Sequence, residues 1–245
     1  MRNVIYLLLT SVFMASSFPV QSQVALNLAM GANWKPYVYI DEHGQRAGED
    51  LLLLNRVLDR LGYQLNTENL PEQRMALEIQ QGQVDVVLGA AYTKAREAQN
   101  FFSVPYRKEI IVLGYRHSLH PEIRDMDINT LLAQDGLVAV NKSGWFGAAF
   151  KQDTLAHYDS NLVHAEGTHR RMQLLDMDRV DAVVGDSKVL QAAADEMGID
   201  DFVIAEKIIH ETAVHFMFSR ARVDAAFMQR FNTALLAEQS KLRQE

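Results

Sequence analysis

The chain has 245 residues, 48% hydrophobic and 22% charged, a composition long enough for one large globular domain or two small lobes. A formal net charge of −7 with no basic run argues against a nucleic-acid or anionic-membrane surface. The absence of cysteine excludes disulfides, thiol catalysis and lipid attachment through a cysteine.

The N-terminus reads as an export signal. Arg2 precedes an apolar run, Val4 to Met14, followed by Ala15, Ser16 and Ser17. The run is too short to span a bilayer, and no second long apolar segment follows. Val20 and Ser22 suit the small-residue positions before a cleavage site, which makes 1–22 a signal peptide and places the mature protein, from Gln23, in the periplasm. With a single arginine in front of the run, an uncleaved membrane anchor is the alternative.

The mature chain opens on a period-two strand in which Val24, Leu26, Leu28 and Met30 alternate with smaller or polar residues. Gly31, Ala32 and Asn33 turn the chain and present Trp34, Pro36 and Tyr37, with a strand over Tyr37–Ile40. Leu51, Leu54, Leu58 and Leu61 repeat at helical spacing from Glu49 to Leu61, and Gly62 suits the C-terminal cap. A strand near 64–68 leads to Pro71, which opens a helix from Glu72 to Gln81.

Val84, Val86, Val87 and Leu88 form a buried strand, and Gly89, Ala90 and Ala91 a small-residue turn. Tyr92 and Thr93 come next, with Thr93 as N-cap of a helix over 94–100. Arg96 falls in the first turn of that helix, where the helix dipole disfavours a cation unless an anion shares the spot. An exposed surface arginine is the plainer reading. A strongly apolar strand, Ile110–Tyr115, follows.

The same alternation then recurs. Strands are expected at 137–140, 161–165 and 180–184, and helices from the turn at 142–147 (KSGWFG) through Leu155, at 168–176 and at 187–197. A last strand covers 213–218. A last helix covers 223–239, with Ala226, Phe227, Phe231, Leu235 and Leu236 on one side. Arg74–Met75, Leu77 and Val84–Asp85 are echoed by Arg171–Met172, Leu174 and Val180–Asp181. Strand–helix–strand alternation with one internal echo predicts an α/β fold of two lobes, each a mostly parallel sheet flanked by helices. The expected division is 23–113 with 212–245 for lobe 1 and 114–211 for lobe 2, giving two crossings and a cleft where ligands sit.

Enzyme and metal signatures are missing: Val189 breaks a G-x-S-x-G elbow at Gly185, and His215 falls one residue too far for H-E-x-x-H from His210. No cofactor is expected. What remains is a set of binding residues. Arg96 offers a fork for a carboxylate. Gly89, Ala90 and Ala91 let backbone approach a ligand. Asp186, at a strand end, can hold an ammonium group or act only as N-cap of the helix from Ser187. Trp34 and Tyr37 pack on a ligand side chain or on the core. Ser143, Gly144 and Trp145 sit at a strand-to-helix turn that supplies hydroxyl and N–H donors.

The segments PYVYIDEHGQRAGEDLLLLNRVLDRLG, QQGQVDVVLGAAYTKAREAQNFFSVPY, VAVNKSG and RVDAVVGDS, in that order, resemble the periplasmic solute-binding proteins of the polar amino-acid type, bacterial extracellular solute-binding family three. The resemblance implies the two-lobed type II binding-protein fold. It assigns Arg96, after Thr93, to clamp the ligand's α-carboxylate, Asp186 to hold the α-amino group and Trp34 to pack on the side chain. Tyr92 and Arg74 border the expected cleft. Four positions depart from the family pattern: Ala91 replaces a hydroxyl residue, Trp145 and Phe146 replace Thr and Gly, and Gly31 replaces an acid. The implied function is a monomer that closes on a small amino acid or related carboxylate and delivers it to an inner-membrane permease of the ABC type. The alternatives are a ligand sensor for a membrane receptor and a periplasmic enzyme like cyclohexadienyl (arogenate) dehydratase, with Glu49, Asp50 or Glu166 as the cleft acid.

Overall fold

The computed structural model describes residues 24–31, 33–142 and 144–243; the expected signal peptide lies outside the described residues. The chain runs β1 (Ala25–Met30), β2 (Tyr39–Ile40), β3 (Arg46–Ala47), α1 (Glu49–Arg60), β4 (Gln64–Asn69), α2 (Glu72–Gln80), β5 (Val86–Ala91), α3 (Lys94–Glu97), β6 (Asn100–Phe102) and β7 (Arg107–Arg116). It continues through α4 (Ile128–Ala133), β8 (Val138–Val140), a π-helical stretch Phe150–Leu155 into α5 (Ala156–Tyr158), β9 (Leu162–His164), α6 (Thr168–Asp176), β10 (Ala182–Asp186), α7 (Ser187–Met197), β11 (Phe202–Ser219) and α8 (Ala225–Leu242).

The fold is the expected two-lobed α/β architecture. In one lobe β1 lies parallel between β4 and β5, and in the other β8 lies parallel between β9 and β10. Two long strands join them. β7 and β11 pair antiparallel from Arg107↔Val214 to Arg116↔Phe202, so each passes from one lobe to the other. β5 closes on the far half of β11, and β10 closes on β7.

β11 and β7 join the strands of both lobes into one sheet, and each lobe's part of it is covered on both faces. On one face of the first, α1 and α8 bury Leu54, Val57, Phe227 and Phe231 against Leu28, Val86 and Phe218. On the other, Ile79 of α2 meets Ala29, Ala90 and Met217. The second lobe packs Ile123, Leu131, Phe150 and Leu113 on one side, and Met172, Leu190, Ala194 and Val112 on the other.

The internal echo has a structural cause. Asp85 accepts from the Asn27 N–H at 2.8 Å while its own N–H donates to Asn27 O at 2.8 Å. Asp181 makes the same reciprocal pair with Leu137, at 2.7 and 2.8 Å. In both lobes an aspartate just before a central strand locks the start of the neighbouring parallel strand. The echoed arginines do not share a role: Arg74 is exposed on α2, and Arg171 is buried on α6.

Several expected boundaries move. Gly89–Ala91 is strand rather than turn, because β11 supplies the ladder through Ala90↔His215 and Ala91↔Val214. The positive φ of Gly89 (61°) lies beside a register shift between His215 and Met217, a bulge that only glycine accommodates without strain. The helix expected over 94–100 is a single turn, since Asn100–Phe102 pairs with β11. β11 begins at Phe202, well before the expected strand at 213. On α8, Met228, Ala234 and Glu238 are buried with Phe227, Phe231 and Leu235, whereas Ala226 and Leu236 are exposed; the packed face is turned by about one position.

Candidate functional site

A polar cleft of about 130 Å³ opens where β7 and β11 cross. Trp34, Tyr37, Gly89, Ala91 and Arg96 line it from the first lobe. Arg107 and Glu109 enter from β7, and Gly144, Trp145, Phe146, Thr168, Arg171 and Asp186 from the second lobe. Strand alternation explains the selection on β7: Arg107 and Glu109 share the cleft face, and Lys108 points out to pair with Glu211.

Arg96 is set by local structure. The Thr93 hydroxyl caps α3 by accepting from the Arg96 N–H at 3.2 Å, and Arg96 Nη1 donates to Ala91 O at 3.0 Å. This fixes the half-buried guanidinium at the cleft wall, with its remaining donors free to point inward. Burial lowers its pKa and Glu109 raises it, a balance that leaves an arginine charged. The helix-dipole argument carries little here, because α3 spans a single turn.

Asp186 serves two roles at once. It caps α7, with Oδ1 accepting from the N–H groups of Lys188 (3.0 Å) and Val189 (3.2 Å). It also lines the cleft, where Oδ1 accepts from Tyr37 Oη across the lobes at 3.3 Å and Oδ2 accepts from the Ile110 N–H at 3.2 Å. Oδ2 keeps lone pairs for a further donor.

Behind these residues runs a buried network. Asp50, 3% exposed, receives Arg107 Nε at 3.1 Å on both oxygens and the Tyr106 hydroxyl at 2.5 Å, while the Gly89 N–H donates to Tyr106 Oη at 2.8 Å. The Arg107 guanidinium lies 3.5 Å from the Tyr37 ring centroid, a cation–π contact that positions Tyr37 toward Asp186. Gly48 lets this happen: a Cβ there would fall 2.2 Å from Tyr37 O, and its φ is 129°. Burial pushes the Asp50 carboxyl up while Arg107 and Tyr106 pull it back. Burial lowers the Arg107 pKa, but Asp50, Tyr106, Tyr37 and Glu109 together hold it above its ordinary range, so the guanidinium stays charged. Arg107 Nη1 is buried with no hydrogen-bond partner among the described residues.

Glu109 differs from the other acids. Burial pushes its carboxyl up to about 7; Arg107 and Arg96 pull it down, and Asp186 and Asp50 push it further up. It therefore exchanges a proton near neutral pH at the floor of the cleft.

The remaining expected residues fall as follows. Ala90 faces away from the polar cleft, as alternation with Gly89 and Ala91 requires, and lines an apolar chamber instead. Tyr92 is 43% exposed, edge-on to Phe102, with its hydroxyl on Glu97, and does not line the cleft. Arg74 pairs with Glu78 on the outer face of α2. Ser143 lies outside the described residues; Gly144 and Trp145 line the cleft, Trp145 edge-on to His210. Of the three acids considered for an enzyme, Glu49 and Glu166 are exposed and Asp50 is tied to Arg107. Arg107, Glu109, Thr168 and Arg171 are not among the site residues expected from the sequence. The charged run Arg107-Lys108-Glu109 leading into an apolar strand and the arginine inside the second echo are the signals that mark them.

Residues 26–241 match the family model described as bacterial extracellular solute-binding proteins, family 3. The chain belongs to that family. No curated protein is significantly similar in sequence. Among solved structures, a histidine kinase sensor domain with similarity to periplasmic binding proteins aligns with TM-score 0.77 at 19% identity, over 90% of this chain and 92% of that one. A mutant of ArgBP from T. maritima gives 0.74 at 22% identity, over 89% and 90%. The ancestral amino acid-binding protein AncCDT-1, a precursor of cyclohexadienyl dehydratase, gives 0.73 at 21% identity, over 88% and 90%. The likeness at these identities is one of fold. No helix among the described residues is long and apolar enough to cross a membrane.

Proposed function

We propose that this family 3 protein is exported to the periplasm, closes on a small amino acid or related carboxylate as a monomer, and hands it to an inner-membrane permease. The reading rests on one observation: Arg96 and Asp186, a carboxylate fork and an ammonium acceptor from different lobes, line the same small cleft. The zwitterionic head of an α-amino acid needs that pair of opposite charges. The lobes in this proposal are 23–113 with 212–245, and 114–211, with β7 and β11 as the hinge. The proposed leader, residues 1–22, is checked by mass spectrometry of the protein recovered from a periplasmic fraction. A thermal-shift screen of the purified protein against amino acids and small carboxylates tests the binding reading. A ligand at 100 times its Kd adds about 2.7 kcal/mol of stability. No shift with any of them would refute it.

A second reading, an enzyme acting on a carboxylate in the same cleft, is favoured by Glu109. A carboxyl with a pKa of about 7 suits general acid–base work at neutral pH. Incubation with arogenate and prephenate decides this: turnover lost in Glu109→Gln supports the enzyme, and no turnover removes it.

A further inference from the structure

Next to the polar cleft lies a larger apolar chamber of about 380 Å³, between α2 and the first-lobe sheet. Its walls are apolar side chains: Met30 from β1, Met75 and Ile79 from α2, Val87 and Ala90 from β5, and Met217 from β11. Arg96 is its single charged lining residue among the described residues. Trp34, Gly89 and Arg96 border both spaces, so a carboxylate held by Arg96 stands at the chamber's mouth.

We infer that this chamber is the side-chain subsite, and that the ligand is a carboxylate, in the proposed case an amino acid, with a bulky apolar side chain of aromatic size. The inference rests on the amino-acid reading for the ammonium group alone; the carboxylate and the apolar body are read from Arg96 and the chamber. Size supports it. An apolar cavity of about 150 Å³ already takes up benzene, and this open chamber is larger. Chemistry supports it too, since flexible methionine thioethers make favourable contacts with aromatic rings and adapt to their shape.

A cationic side chain meets the opposite conditions. Arg96, Arg107 and Arg171 all line the cleft. Of its three nearby carboxyls, Asp50 is held by Arg107, Asp186 faces the ligand's ammonium, and Glu109 is half neutral at about pH 7. In the chamber a guanidinium would lose its water and find no acceptor side chain among the described residues. The arginine named for ArgBP is therefore not the ligand this cleft favours.

The test is calorimetric titration of the purified protein with alanine, leucine, phenylalanine, arginine and 3-phenylpropionate, repeated on Met75→Trp and Met75→Ala. Phenylalanine is expected to bind roughly ten- to a hundredfold tighter than alanine, from burial of its side chain. Met75→Trp, which fills the chamber from the half-buried flank of α2, is expected to erase most of that advantage and leave alanine within about threefold. Met75→Ala, which widens the chamber, retains the preference. Arginine binding tightest, or phenylalanine no tighter than alanine, overturns the chamber while leaving the amino-acid reading intact. Binding of 3-phenylpropionate alone, lost in Met75→Trp, supports the chamber and overturns the amino-acid reading. Binding of none of the five overturns both.

Discussion

Replacing Arg107 by methionine should destabilise the protein far more than a surface arginine would. The side chains of Arg107 and Asp50 are only 14% and 4% exposed, with Nε 3.1 Å from both carboxylate oxygens. Methionine keeps most of the volume but leaves the Asp50 charge buried with a single tyrosine hydroxyl for company. Removing one partner of a buried ion pair costs about 3–5 kcal/mol. For a chain of this length that lowers Tm by roughly 6–20 °C. Urea unfolding followed by circular dichroism measures it. The pH dependence gives a second signature. Without Arg107, burial dominates and the native Asp50 pKa lies above its unfolded value. The native state then binds the extra proton, so the deficit of the variant shrinks as pH falls below that raised native pKa and is widest above it. A loss under about 1 kcal/mol, or a deficit independent of pH, would refute the account of this pair.

The Glu109 carboxyl, pushed up to about 7 from 4.5, should make both stability and ligand affinity pH-dependent. Its native pKa exceeds the unfolded one, so native stability falls as pH rises from about 4.5 to about 7, by up to roughly 3 kcal/mol. Affinity for a carboxylate falls over the top of that window as a negative charge appears beside Arg96; Glu109→Gln should flatten both profiles in urea melts and titrations. Asp85→Ala orphans the Asn27 N–H and the Arg222 guanidinium and should cost about 2–4 kcal/mol. Ligand affinity of the folded variant should change by less than about threefold, since Asp85 is remote from the cleft lining; a larger loss would make the repeated aspartate functional rather than structural.

How far the sequence carried the fold depends on where each element's hydrogen bonds and burial come from. The helix Ser187–Met197 was fully legible, because Asp186 caps it and Gly198 ends it in the left-handed conformation, both local effects. Glu49–Arg60 was legible for its leucine spacing. Gly89–Ala91 misled, because small residues have little strand preference of their own and the pairing is supplied by β11. The first half of β11 was missed, because register shifts at Ile204/Ile208 and Ile208/His210 destroy the period-two pattern. Arg107 and Glu109 look like loop residues in the sequence; they are enclosed only once two lobes converge on them. Likewise no local pattern joins Met30, Met75 and Met217 into one chamber. That needs the tertiary fold.

The central claim is that a carboxylate is held between the lobes by Arg96. It is tested most directly by titrating the tightest-binding amino acid into wild-type protein and Arg96→Ala side by side. Truncating one partner of a desolvated charge pair costs about 2–5 kcal/mol, so the variant should bind roughly thirtyfold to several thousandfold more weakly while melting within a few degrees of wild type. Equal affinity in the two proteins would contradict the claim.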